Sequence, residues 1–391
     1  MSHELDHDQT ARTILIAHPS AELYGSDRTL LESVEALLAH GWRVVTVLPS
    51  AGPLVEPMRR LGSEVVFEVS PVLRKASLSP AGIVRLVLSL RAVPALLGLL
   101  RRESPDVVYV NTITLPLWLL AARLARIPAL CHVHEAEERL ARPVRWGLAV
   151  PLLLATRLVA NSRTTEAVLA ASLRRLRTRT EVVFNGVRGP AEPSAPRPRL
   201  SGRVRLLVIG RISPRKGTDL AIAATERLCE EGYDVGLEIV GSTFAGYEWF
   251  EERIRAQAAV PALAGRVSFT GFVDDAWPSY DRSDIVLIPS LGESFGNVAV
   301  EGMLARRPVV AAAVQGLTEI IDDGITGVLV DPDDVGALAA ALRQLCNDWP
   351  TARRIAESGR LHAEEAFSTD RYARDIVRVV DVTAGVSTPS R

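Results

Sequence analysis

A chain of 391 residues is longer than one hydrophobic core usually grows, so two domains of about 200 residues each are expected. Its 48% hydrophobic and 23% charged residues describe a globular protein and exclude a low-complexity or short-repeat architecture. The net charge of −1 divides unevenly, with 23 Lys/Arg against 17 Asp/Glu in residues 1–190 and 22 against 29 in residues 191–391. That basic half is too weak to argue for nucleic acid but suits an anionic surface or substrate.

The opening MSHELDHDQTAR is polar and acidic, so no signal peptide is expected. The longest charge-free run, Val107 to Ala122, is interrupted by Asn111 and Pro116 and is too short to span a membrane. The chain therefore reads as cytoplasmic. Cys131, Cys229 and Cys346 are an odd number at wide spacing in apolar surroundings, which predicts reduced core residues rather than disulfides or a metal site.

Short β-branched runs alternate with helical segments throughout. In the first half they are TILIAHP, RVVTVLP, EVVFEVS, DVVYVN, ALCHVHE, RLVANS and EVVFNGV; in the second, VRLLVIGR, VGLEIVG, RVSFTGF, DIVLIPS, PVVAAAV and GVLV. Near-continuous apolar runs are the mark of parallel strands covered on both faces, so the fold class is α/β, with two doubly wound Rossmann-like domains. Residues 188–203, RGPAEPSAPRPRLSGR, hold four prolines that can continue neither a helix nor a central strand. The expected organisation is a first domain over 1–188, a linker over 189–203, a second domain over 204–366 and a returning helix with a disordered tail over 367–391. Sheets of this kind bind ligands where their strands end, so the expected site is an interdomain cleft lined by the loops after the strands.

The first such loop of the second half is GRISPRKG. Lys75 and Lys216 are the chain's only lysines among 45 basic residues, and Lys216 stands with Arg211 between a strand and a helix start. A compact cation, a guanidinium and a helix N-terminus together suit a phosphate. After DIVLIPS comes LGESFGNVAVEGM, where Glu293 precedes a small flexible turn, Gly296 and Asn297 open a helix, and Glu301 follows within it. Carboxylates beside an anion site are costly unless they bind neutral hydroxyls, which sugars supply in number.

GRISPRKG followed about 80 positions later by E-S-F-G-N-V-A-V-E resembles the signature of family-four retaining glycosyltransferases of the GT-B fold. NGV at 185–187 and EIIDDGITGVLVDPDD resemble further segments of that family, so the likeness extends over nearly the whole chain. It implies GT-B architecture and transfer of a hexose from a nucleoside-diphosphate sugar, UDP- or GDP-linked, to an acceptor hydroxyl. By the resemblance, Arg211 and Lys216 hold the diphosphate, Glu293 contacts donor-sugar hydroxyls, Glu301 contacts the ribose, and the segment Ser294, Phe295, Gly296 and Asn297 cradles sugar and phosphate. Gly271 and Phe272 stand where the family places its base-binding loop, and His134, beside Glu135, matches a histidine near the transferred sugar. Gly25 matches the glycine loop, although Ser26 replaces the usual second glycine; Ser26 or Asp27 can instead cap the helix, and Asp27 and Arg28 can face the acceptor. His132 shares a face with His134 if its strand is regular.

The implied cofactor set is empty: the nucleotide sugar is a co-substrate, and no carboxylate or cysteine stands at metal-ligand spacing. The implied acceptor is a saccharide or lipid-linked molecule of cell-surface polysaccharide or glycolipid assembly. Two other readings stay open, a catalytically silent nucleotide-sugar-binding subunit and a GT-B nucleotide-sugar epimerase. Residues 69–102 carry six basic residues and 139–157 carry four, neither with an acid. These segments read either as covering helices of the first sheet or as peripheral contacts with an anionic membrane, which would place the chain at the inner membrane face.

Overall fold

A computed structural model describes residues 12–73, 88–136, 138, 140–244 and 246–386. Part of the basic stretch 69–102, the acidic N-terminus and most of the expected disordered tail lie outside these residues. The chain divides into two units, one comprising Met1–Phe184 with Asp370–Arg391 and the other Asn185–Thr369.

The first unit holds β1 (Thr13–Ala17), β2 (Arg43–Leu48), β3 (Glu64–Phe67), β4 (Val107–Val110), β5 (Ala129–Val133), β6 (Arg157–Ala160) and β7 (Thr180–Val182), all parallel, in the order β3-β2-β1-β4-β5-β6-β7. The second holds β8 (Val204–Ile209), β9 (Val235–Val240), β10 (Val267–Gly271), β11 (Ile285–Ile288), β12 (Val309–Ala312) and β13 (Val328–Val330), also parallel, in the order β10-β9-β8-β11-β12-β13. Twelve of the thirteen apolar runs in the sequence contain one of these strands, and EVVFNGV overlaps β7, which begins one residue earlier at Thr180. Central strands such as TILIA and IVLI are buried at every residue because helices cover both faces, whereas the edge strand VSFTG is exposed at alternate positions. In both sheets the strand order reverses between the first and fourth strands of the unit, which places the topological switch point between β1 and β4 and between β8 and β11.

The unit boundary falls before the expected residue 188, for a local reason. Asn185 donates through its side chain to Asn297 Oδ1 at 2.9 Å, and Val187 N donates to Phe367 O at 2.9 Å, so these residues already belong to the second unit. The proline-rich 189–203 segment, expected as a linker, also lies along that unit. Arg197 pairs with buried Asp284 at 2.5 Å, Trp349 Nε1 donates to Arg197 O at 2.7 Å, and Arg307 Nη2 donates to Ser194 Oγ at 2.6 Å. The helix Thr369–Thr383 packs into the first unit: Tyr372, Ile376, Val379 and Val380 join the core of Ile14, Ile16, Leu30 and Val34, and Ser33 Oγ and Tyr372 OH lie 2.6 Å apart. All three cysteines are free, Cys131 fully buried and the other two partly so.

Candidate functional site

The loops after β8 and β11 meet at the switch point of the second sheet. Gly210, at φ +142°, ends β8 and leaves room for the Lys216 side chain to run alongside it. The turn Pro214–Lys216 then leads through Gly217, at φ +65°, into the helix Thr218–Glu230. Lys216 Nζ donates to Glu293 Oε2 at 2.5 Å, joining two loops 77 positions apart in sequence. Arg215 strengthens the join, its Nη1 donating to Gly292 O at 2.6 Å and lying 4.0 Å from Glu293, while Leu291 N donates to Arg215 O at 2.8 Å. A cleft here is lined by Gly210, Arg211, Lys216, Thr218, Ser290 and Val298. Ser290 Oγ is fully buried in this lining and has no hydrogen-bond partner among the described residues.

Glu293 is fixed from behind by Gln315, whose Oε1 accepts from Glu293 N at 2.8 Å, and by Gly316 N, which donates to Glu293 O at 3.0 Å. Burial alone would push its carboxyl up, but Lys216 and Arg215 outweigh burial and hold it below the usual carboxylate range. The carboxylate is thus ionised at neutral pH and available as a hydrogen-bond acceptor.

The remaining candidates surround this pair in separate settings. Gly296, at φ +122°, opens the helix Asn297–Leu304, and the Phe295 ring is buried edge-on against Phe367, while Ser294 and Asn297 on either side are half-buried. Glu301 Oε2 accepts from Tyr280 OH at 2.7 Å rather than from Lys216. Arg211 places its guanidinium carbon 3.8 Å from the centre of the Phe244 ring, a cation–π contact. Gly271, at φ +79°, ends β10 and its carbonyl accepts from Gly241 N at 2.8 Å; Phe272 beyond it is 43% exposed.

In the first unit, Gly25 begins the helix Gly25–Ala39. Neither Ser26 nor Asp27 is its cap residue: Tyr24 occupies that position, and Asp27, inside the first turn, reaches back so that its Oδ2 accepts from Tyr24 N at 2.7 Å. Asp27 therefore faces inward, 2.6 Å from His18 Nε2, rather than presenting itself to an acceptor. His134, just past β5, places Nε2 2.9 Å from Asn111 Oδ1, and Asn111 Nδ2 lies 3.0 Å from His18 Nδ1. The ring of His132, fully buried, lies 4.1 Å from that of His134, and its Nδ1 is 2.6 Å from Tyr109 OH. Glu135 accepts from Thr112 Oγ1 at 2.6 Å and from His134 N at 3.0 Å. His18, Asn111, Gln315, Tyr280 and Ser290 were not singled out from sequence. His18 and Asn111 directly follow β1 and β4, so the rule of looking after each strand reaches them.

The two parallel α/β sheets match the GT-B fold of solved glycosyltransferase structures. Residues 24–188 match the family model Glycosyltransferase Family 4, and residues 203–348 match Glycosyl transferases group 1. The chain belongs to the family-four glycosyltransferases of the GT-B fold. Among curated proteins it is 34% identical over 247 residues to D-inositol 3-phosphate glycosyltransferase of Salinispora tropica, covering 58% of this chain and 50% of that protein. It is 29% identical over 261 residues to α-D-kanosaminyltransferase of Streptomyces kanamyceticus, covering 61% and 66%. The chain spans about half the length of the first curated relatives it matches. The crystal structure of Anabaena HepE in complex with UDP-glucose is similar in fold, with a TM-score of 0.80 at 21% identity over 95% of this chain and 99% of that one.

Proposed function

We propose that this protein transfers a hexose from a nucleoside-diphosphate sugar to an acceptor hydroxyl with retention at the anomeric carbon. The observation that carries the reading is the 2.5 Å Lys216–Glu293 pair, which brings together a cation suited to a diphosphate and a carboxylate suited to sugar hydroxyls. Lys216 has three N–H donors and Glu293 engages one, leaving others for phosphate oxygens. As the glycosidic C–O bond breaks, its electron pair passes to the leaving diphosphate, and the ammonium meets the charge that grows there. The acceptor oxygen bonds to the anomeric carbon from the same face, and its proton goes to the leaving phosphate oxygen. In this reading Arg211, the 294–297 backbone and Glu301 complete the contacts to phosphate, sugar and ribose.

Screening UDP- and GDP-sugars by thermal shift tests the donor class, and UDP-sugars come first because HepE is a UDP-glucose complex. A ligand at about 100 times its Kd stabilises the native state by about 2.7 kcal/mol, so a cognate donor raises Tm clearly. No shift with any nucleotide sugar would overturn the reading. Slow donor hydrolysis without acceptor is expected of an enzyme and not of a silent binding subunit, and an inverted product anomer by NMR would contradict retention.

No helix among the described residues is long and apolar enough to cross a membrane. The covering role of the basic helices is visible: Val93–Glu103 buries Leu96, Leu99 and Leu100, and Arg142–Ala149 buries Leu148 and Ala149. Trp146, 56% exposed beside Arg142 and Arg145, supports a peripheral contact with anionic lipid in service of a lipid-linked acceptor. Co-sedimentation with anionic liposomes at low salt, lost at high salt, is the expected result. Equal recovery in the supernatant with and without liposomes would remove this proposal.

A further inference from the structure

We propose that Asp27, His18 and Asn111 are positioning residues that fix His134 as the tautomer protonated on Nε2, presenting Nδ1 as an acceptor to a saccharide hydroxyl. The hydroxyl contact rests on the function proposed above; the tautomer does not.

The direction of each hydrogen bond follows from its neighbour. Asp27 already accepts from Tyr24 N at 2.7 Å and Ser20 Oγ at 3.2 Å, and a carboxylate is an acceptor only. His18 Nε2, 2.6 Å from Asp27 Oδ1, must therefore carry a proton, and with the Asn111 amide nitrogen placed against Nδ1 the ring is neutral and Nδ1 keeps its lone pair. The group facing that lone pair at 3.0 Å is Asn111, so its amide NH₂ donates there and its Oδ1 points the other way. That oxygen stands 2.9 Å from His134 Nε2 and can only accept, so the His134 proton is on Nε2. Nδ1 is then unprotonated, and it has no hydrogen-bond partner among the described residues.

The relay is built from buried groups. Asp27, His18 and Asn111 are each almost fully inaccessible and come from the first turn of a helix and the carboxyl ends of β1 and β4, so their polar atoms depend on one another. Burial, reinforced by His18 and opposed by Asp27, pushes His134 down to about 3, so its ring remains neutral around neutral pH. His134 is on this account a neutral acceptor rather than a general acid. In the other tautomer the same nitrogen would be a donor, and a hydroxyl meeting it would have to accept there instead of donating its own proton. This is how a partner behind an imidazole commonly sets what its other nitrogen can do.

Long-range ¹H–¹⁵N NMR of the full chain with labelled histidine tests the tautomer without any substrate, His134→Gln assigning the resonances. The expected pattern is a neutral ring with the proton on Nε2; a proton on Nδ1 or an imidazolium at neutral pH overturns the proposal. Asn111→Leu removes the acceptor under Nε2, and the expected loss is about tenfold or more in kcat with donor KM nearly unchanged, by analogy with partners that orient metal-bound imidazoles. Asn111→Asp keeps an acceptor under Nε2, while its other oxygen, able only to accept, calls for a second proton on His18 Nδ1; His134 is expected to keep its proton on Nε2, separating orientation from simple loss of packing. An Asn111→Leu protein that folds and turns over normally would overturn the positioning role. If no nucleotide sugar bound, the proposed function would fail while the tautomer measurement stood or fell separately.

Discussion

Lys216→Ala is expected to lower turnover at saturating donor by about 100- to 1000-fold, the effect of removing one preorganised donor worth about 3 to 4 kcal/mol in the transition state. In the proposed reaction the loss belongs in kcat, because the added charge assigned to Lys216 develops as the glycosidic bond breaks. The same change strips Glu293 of its 2.5 Å partner. Breaking a fully buried pair costs up to about 5 kcal/mol, and with the two side chains 17% and 14% exposed this pair lies below that limit. Glu293→Gln added to Lys216→Ala should therefore recover stability by urea denaturation without recovering turnover. The pH dependence has a fixed sign. A carboxyl held below its ordinary value contributes stability above its unfolded pKa of about 4.3 and loses that contribution as pH falls through the lower folded value, and Lys216→Ala should remove much of this acid-side loss. Unchanged turnover at saturating donor would end the assigned role.

The strands were legible because a strand covered on both faces must be apolar at consecutive positions, and IVLI or TILIA cannot hide that demand. Lys216 and Glu293 were legible because loops after parallel strands have few reasons to place charge between two apolar segments, whereas Glu301, inside the helix Asn297–Leu304, stood out by its spacing from Glu293 in the family signature. The structure brings the first two together and gives Glu301 to Tyr280, a distinction that spacing along the chain does not carry. His18 and Asn111 were missed because single polar residues at strand ends have no periodicity, and their importance arises only when β1, β4 and β5 lie side by side. The proline-rich segment misled for a related reason. Composition shows that it is neither helix nor strand, but not that Asp284, Trp349 and Arg307 hold it along the second unit. Gln315 reaches Glu293 from the loop after β12, a contact that depends wholly on tertiary placement.

Gly217→Ala should be among the most damaging changes that add a single methyl group to this site. Gly217 is at φ +65°, and an L-residue there costs about 1 to 2 kcal/mol in backbone strain. A Cβ at this position would also stand 2.0 Å from Pro289 O and 2.8 Å from Pro289 C, which are backbone atoms following β11 and cannot rotate aside. Relieving that overlap means separating the loop that carries Lys216 from the loop that carries Glu293. With overpacking adding about 1 to 3 kcal/mol, the expected destabilisation is about 2 to 5 kcal/mol. Gly202→Ala supplies the control, since Gly202 has φ +66° and open space around the added methyl, so it should show the strain alone. Urea midpoints should fall well below wild type for Gly217→Ala and only modestly for Gly202→Ala, and the donor-induced Tm shift should be lost only in the first. Equal stability losses would mean that the Gly217–Pro289 contact is not what holds the two loops together, and the close pairing of Lys216 with Glu293 would then need another cause.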